Sequence, residues 1–135
     1  MENYLIHLFE HQQYDPENLI LVAHSAACVA LLHWVEEYNI KVKAALLVAP
    51  ADADAATFPV GATGFSPVPL IKLPFPSIVV ASTNDYFVTL QRAQKFANAL
   101  GSEFVNIGDA GHINVASGYG EWDEGLEILK KLDSK

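Results

Sequence analysis

Apolar residues along this chain follow two alternating rhythms. Four short segments read as strands, the first with the continuous apolar run of a strand buried on both faces and the next two as buried strands. They are Asn18 to Ala23, Val42 to Ala49 ("VKAALLVA"), Ser77 to Ser82 ("SIVVAS") and Glu103 to Ile107 ("EFVNI"). Between and around them the spacing becomes helical. Leu5, Leu8 and Phe9 predict a helix over Tyr4 to Gln13 that stops before Asp15-Pro16. Ala26 to Tyr38 is apolar almost all round (Val29, Leu31, Leu32, Val35), as a buried helix should be. Leu90, Ala93, Ala97 and Leu100 form one stripe of a helix closed by Gly101, a favoured residue just past a helix end. Trp122, Leu126, Leu129 and Leu132 predict a final amphipathic helix.

Strands alternating with helices imply an α/β fold. The expectation is a parallel sheet of about four strands with right-handed crossovers and helices flanking it, in three layers. One interval breaks the rhythm. Residues 50–76 hold six of the seven prolines, together with Gly61 and Gly64. No long helix fits there, so the interval reads as a Pro-rich loop: a lid or substrate-facing wall, or a plain surface excursion.

Length and charge narrow the class. At 135 residues the chain is read as one domain, 1–135, able to bury a real core. A net charge of −8, with thinly scattered Lys and Arg, argues against nucleic acid or an anionic membrane as partner. The single cysteine, Cys28, excludes an intrachain disulfide and fits a reducing compartment. Met1 is followed by Glu2 without a basic and apolar leader, and no apolar run nears the roughly 18–20 residues of a membrane span. A cytoplasmic localisation is therefore expected.

Parallel α/β sheets bind ligands beyond the carboxyl ends of their strands. After the first strand come His24 and Ser25; after the second, Pro50-Ala51-Asp52. After the third come Thr83, Asn84 and Asp85, and after the fourth Gly108-Asp109-Ala110-Gly111-His112. A serine, an acid and a histidine thus meet one sheet edge, in the order used by α/β-hydrolases. A serine hydroxyl attacks poorly at neutral pH unless a base takes its proton, and His112 has the right chemistry. A carboxylate, best placed on Asp85, would fix the imidazole tautomer and stabilise the imidazolium. The competing reading of Ser25 is a helix cap.

Other candidates take blander roles. Asp109 shares a tight loop with His112 and shapes the turn; it is the alternative acid. Asp52, beside Asp54, is expected in a solvated loop. His24 is expected to be structural or hydrogen-bonded locally, and His7, His11 and His33 to be surface or interfacial. His7 and His11 are four apart but lack a carboxylate or cysteine partner for a metal. Cys28 packs. No phosphate-cradling glycine motif occurs; neither metal nor cofactor is expected.

These residues carry a resemblance. "LVAHSAACVALLHW" (Leu21–Trp34), "LLVAPAD" (Leu46–Asp52), "LPFPSIVVASTNDYFV" (Leu73–Val88) and "GDAGHINVASGYGEW" (Gly108–Trp122) resemble the small serine hydrolases of the retinoblastoma-binding protein 9 and YdeN group, within the α/β-hydrolase superfamily. The likeness runs from about Leu19 to Leu132. It implies Ser25 as nucleophile on a nucleophile elbow, Asp85 as acid and His112 as base, with the backbone N–H of Ala26 as an oxyanion donor. The activity implied is hydrolysis of small carboxylic esters without a cofactor. Alanines at 23 and 27 replace the glycines of G-x-S-x-G, each adding a methyl to a tight turn. Family members begin with a strand and a glycine-containing loop that supplies a second oxyanion N–H. Here about eighteen residues precede the nucleophile strand, so a truncated α/β-hydrolase fold is expected. Its strand Leu19–Ala23 would be an open apolar edge prone to homo-oligomerisation. The alternative function is a non-catalytic or weakly active interaction module that retains the three residues.

Overall fold

The computed structural model describes residues 15–135. The expected helix over Tyr4 to Gln13, with His7 and His11, lies outside the described residues.

Four parallel strands form one sheet in the order β1-β2-β3-β4. They are β1 (Ile20–His24), β2 (Ala44–Val48), β3 (Ser77–Ala81) and β4 (Glu103–Asn106). Among the described residues three helices pack on them: α1 (Ala26–Tyr38), α2 (Leu90–Leu100) and α3 (Asp123–Asp133). The register places Val22 beside Leu46, Leu46 beside Ile78, and Ile78 beside Glu103. Each strand is one or two residues shorter at an end than its apolar run, except that β1 also extends through His24. Asn18 belongs instead to a 3-10 turn, Pro16–Asn18, because the Asp15 carboxylate accepts the Glu17 N–H and the Asn18 side-chain amide.

All five residues of β2 and of β3 are buried. Their alternation divides the core in two. Ala45, Leu47, Val79 and Ala81 face α1 and α2; Ala44, Leu46, Val48, Ile78 and Val80 face α3 through Leu132. Successive right-handed crossovers in one direction require α1 and α2 on the same face, leaving α3 to cover the other. Leu47, Ile78, Phe96 and Leu132 are essentially inaccessible to water. Burying each such side chain contributes about 1.5–3 kcal/mol.

Helix ends follow local chemistry. Thr89 caps α2 by accepting the Arg92 N–H, and Gly101 closes it in the left-handed conformation at φ 72°. The α2 stripe includes Phe96 as well as the predicted alanines and Leu100. In α3 the predicted stripe holds only in part. Leu132 is buried and Leu129 half-buried, but Leu126 is 49% exposed, and it is Gly125 that lies beneath the Trp122 ring.

The 49–76 connection forms no long helix, as its prolines dictate. It is not a plain surface excursion, since Ala53, Val68, Leu73 and Phe75 are buried in the core on the α1 and α2 side. Among the described residues nothing pairs with the outer edge of β1, and Val22 in mid-strand is 59% exposed. No described helix is long and apolar enough to cross a membrane.

Candidate active site

The turn after β1 is tight. Ser25 adopts φ 59° and ψ −125°, a conformation that L-residues rarely take, before α1 begins at Ala26. Its N–H donates to the Val48 carbonyl (3.0 Å) and its carbonyl accepts from Cys28 (3.1 Å). The Ser25 hydroxyl makes no capping bond to α1. It lies instead 2.8 Å from Nε2 of His112. The two neighbouring alanines do not take on this strain: Ala23 and Ala27 keep negative φ, and the Ala27 methyl faces solvent.

His112 Nδ1 is 3.0 Å from both carboxylate oxygens of Asp85, whose side chain is fully buried. A carboxylate only accepts, so the neutral imidazole carries its proton on Nδ1. Its Nε2 lone pair then faces the Ser25 hydroxyl. Asp85 Oδ1 also accepts the Phe87 N–H at 2.8 Å. Asp109 is exposed and outside this network.

The loops after β3 and β4 are stitched together by polar side chains. Asn84 Oδ1 accepts the Gly111 N–H (2.7 Å) and the Ser82 hydroxyl (2.9 Å). Ser82 Oγ in turn accepts the Ala110 N–H (3.0 Å). Gly111 sits at φ 59°, and a Cβ there would come within 2.9 Å of Ser117 Cβ, so the approach needs glycine. Phe87 and His24 both pack on the His112 ring, at centroid distances of 4.7 and 4.8 Å.

Beside Ser25 opens a cavity of about 330 Å³. Phe58, Pro59, Phe65 and Phe87 wall it, and Ala26 and Ala51 complete the side next to Ser25. His112 is the one titratable side chain at its surface. The Pro-rich interval thus forms a wall over the site, held by polar ties. His33 Nε2–H donates to the Phe65 carbonyl (2.7 Å), which makes His33 an interfacial tether between α1 and this loop. Asp52 is buried, not solvated. Arg92 grips both its oxygens at 2.9 and 3.0 Å and reaches Asp54 at 3.4 Å. Asp54 also accepts the Ser66 hydroxyl and the Val68 N–H. The Ser66 hydroxyl, helped by the Val68 N–H and the Arg92 charge and against the opposing effect of burial, holds the Asp54 carboxyl below its ordinary range.

Cys28 is fully buried with its thiol toward the Val48 carbonyl, and burial pushes its ionisation far up, so it is inert packing. Among the described residues no cluster of His, Cys, Asp or Glu could hold a metal ion. Sequence reasoning overlooked the contributions of Ser82, Asn84, Phe87 and Arg92. For Asn84 and Phe87 the signal was their position flanking Asp85.

Residues 1–131 match the family described as serine hydrolase. A YdeN-like hydrolase from Pectobacterium atrosepticum is 30% identical, with a TM-score of 0.79; the match covers 98% of this chain and 68% of that one. The ydeN gene product of B. subtilis is 23% identical over 96% of this chain and 72% of its own, at a TM-score of 0.77. An α/β hydrolase enzyme from a lagoon-sediment metagenome shares the fold at 18% identity, covering 99% and 69%, with a TM-score of 0.73. No match is found among curated proteins.

Proposed function

The chain belongs to the serine hydrolase family, within the α/β-hydrolase superfamily, and we propose that it hydrolyses small apolar carboxylic esters through Ser25, His112 and Asp85. Ser25 Oγ attacks the acyl carbonyl while His112 Nε2 takes the hydroxyl proton. Asp85 holds Nδ1–H and stabilises the imidazolium that forms. Ala26 is the first residue of α1, so its N–H lacks a partner four residues back in the helix and is free to meet the oxyanion. Collapse of the tetrahedral intermediate breaks the ester C–O bond, and His112 returns the proton to the departing alcohol. Water then attacks the acyl-enzyme by the same route, releasing the acid and restoring Ser25. The cavity beside Ser25 would take the acyl group, and its uncharged walls favour an apolar one.

The observation that carries this reading is the 2.8 Å approach of Ser25 Oγ to His112 Nε2 from a strained turn. A serine serving as a helix cap would bond its own helix and need no strain. The test is labelling with a fluorophosphonate probe beside turnover of p-nitrophenyl butyrate. Wild type should do both and Ser25→Ala neither. If wild type does neither, the exposed β1 edge gives the interaction-module reading the advantage.

A further inference from the structure

His24 has no part in the chemistry above, yet it touches the base at two places. Its Nε2 lies 2.8 Å from the main-chain oxygen of His112, and the two rings pack with centroids 4.8 Å apart. A carbonyl oxygen can only accept, so Nε2 of His24 carries a proton and donates. The peptide it holds is unusual. The next residue, Ile113, is β-branched, buried and set at φ 49°, in the left-handed region that such residues avoid. A backbone in that state persists only where its surroundings over-determine it. Here the His112–Ile113 peptide is pinned from both sides: its oxygen by His24, and its N–H by the Ala110 carbonyl at 3.1 Å.

The clamp and the nucleophile are also neighbours in sequence. His24 ends β1, paired with Val48 of β2, and Ser25 follows at once. One rigid strand end therefore presents the hydroxyl to the imidazole and grips the main chain that carries that imidazole. We propose that His24 is a positioning residue whose bond to the His112 carbonyl holds the strained His112–Ile113 peptide, and with it the base, in register with Ser25. The proposal rests on the reading of His112 as general base.

Removing the clamp lets Ile113 relax toward negative φ and swings the His112 ring away from Ser25. A displacement of about 1 Å in a reacting group costs on the order of 10²-fold in rate. The experiment measures p-nitrophenyl butyrate turnover per active site, counted by fluorophosphonate titration, for wild type, His24→Phe and His24→Gln. His24→Phe, which keeps a ring but no donor, should lose about 30- to 100-fold in kcat with KM within about twofold. His24→Gln places an amide N–H at similar reach and should recover most of that loss. Adding Ile113→Gly to His24→Phe should also restore turnover, because glycine holds a positive φ without strain.

A His24→Phe enzyme that labels and turns over like wild type overturns this inference and leaves the esterase reading standing. A wild type that does not label overturns both. If His24→Phe does not fold, His24→Asn takes its place, its amide being too short to reach the carbonyl. Loss of folding in both variants overturns the inference in favour of a purely structural histidine.

Discussion

Both oxygens of Asp85 lie 3.0 Å from Nδ1 of His112, across 27 residues of chain, while Asp109, three residues from the histidine, stays exposed. Sequence proximity and spatial proximity disagree here, and only the second can fix an imidazole tautomer. Asp85→Asn replaces an acceptor by a group that can also donate to Nδ1, which favours the wrong tautomer. Its kcat on p-nitrophenyl butyrate should fall about 10³- to 10⁴-fold. Asp109→Asn should stay within about threefold of wild type. Reversed magnitudes would move the acid to Asp109.

Ser25 holds a conformation that costs of order 1–3 kcal/mol for a residue with a Cβ. Glycine removes that cost but enlarges the entropy of the unfolded chain by about 0.4–1 kcal/mol. Ser25→Gly should therefore be more stable than Ser25→Ala by about 1 kcal/mol, with both inactive. Urea unfolding of the two variants measures the difference. Equal midpoints would mean that the turn is not strained by its side chain.

What could be read in advance, and what could not, follows the range of the forces involved. β2 and β3 were legible because burial on both faces leaves a local apolar run, and α1 because most of its surface is buried. That Ser25, Asp85 and His112 meet was legible because a parallel sheet delivers strand ends to one edge, so position in the alternation stands in for position in space. The burial of Asp52 and the bond made by His33 were not legible because their partners are remote. Arg92 comes from 40 residues away and the Phe65 carbonyl from 32, and no local pattern marks either. Leu126 keeps the period of the stripe but is exposed, while the Trp122 ring lies over Gly125.

Phe58 and Phe65 meet at a centroid distance of 5.5 Å in the wall of the acyl cavity. Phe58→Ala should lengthen the cavity and move acyl preference upward. Each extra methylene that becomes buried is worth about 0.8 kcal/mol, or about fourfold in kcat/KM. Profiles over p-nitrophenyl acetate to octanoate, for wild type and variant, should diverge in that direction. Parallel profiles would place the acyl chain elsewhere.

Arg92 joins α2 to the wall through Asp52 and Asp54, and the Asp52 N–H donates to the Phe87 carbonyl at 2.9 Å. Arg92→Ala leaves the Asp52 carboxylate buried without its cation, a change that costs about 3–5 kcal/mol. Adding Asp52→Ala removes the stranded charge, so the double variant should be more stable than Arg92→Ala alone. Asp54 adds a pH dependence to the same anchor. Its carboxyl is held below the ordinary range in the folded chain, first by the Ser66 hydroxyl. The stabilisation is therefore complete above the unfolded value, about pH 4, and is lost as pH falls through the lower folded value. Ser66→Ala should start less stable at pH 6 and lose less on acidification than wild type. Urea unfolding at pH 6 and near pH 3 measures both slopes, and a Ser66→Ala slope equal to that of wild type would remove Asp54 from the acid response.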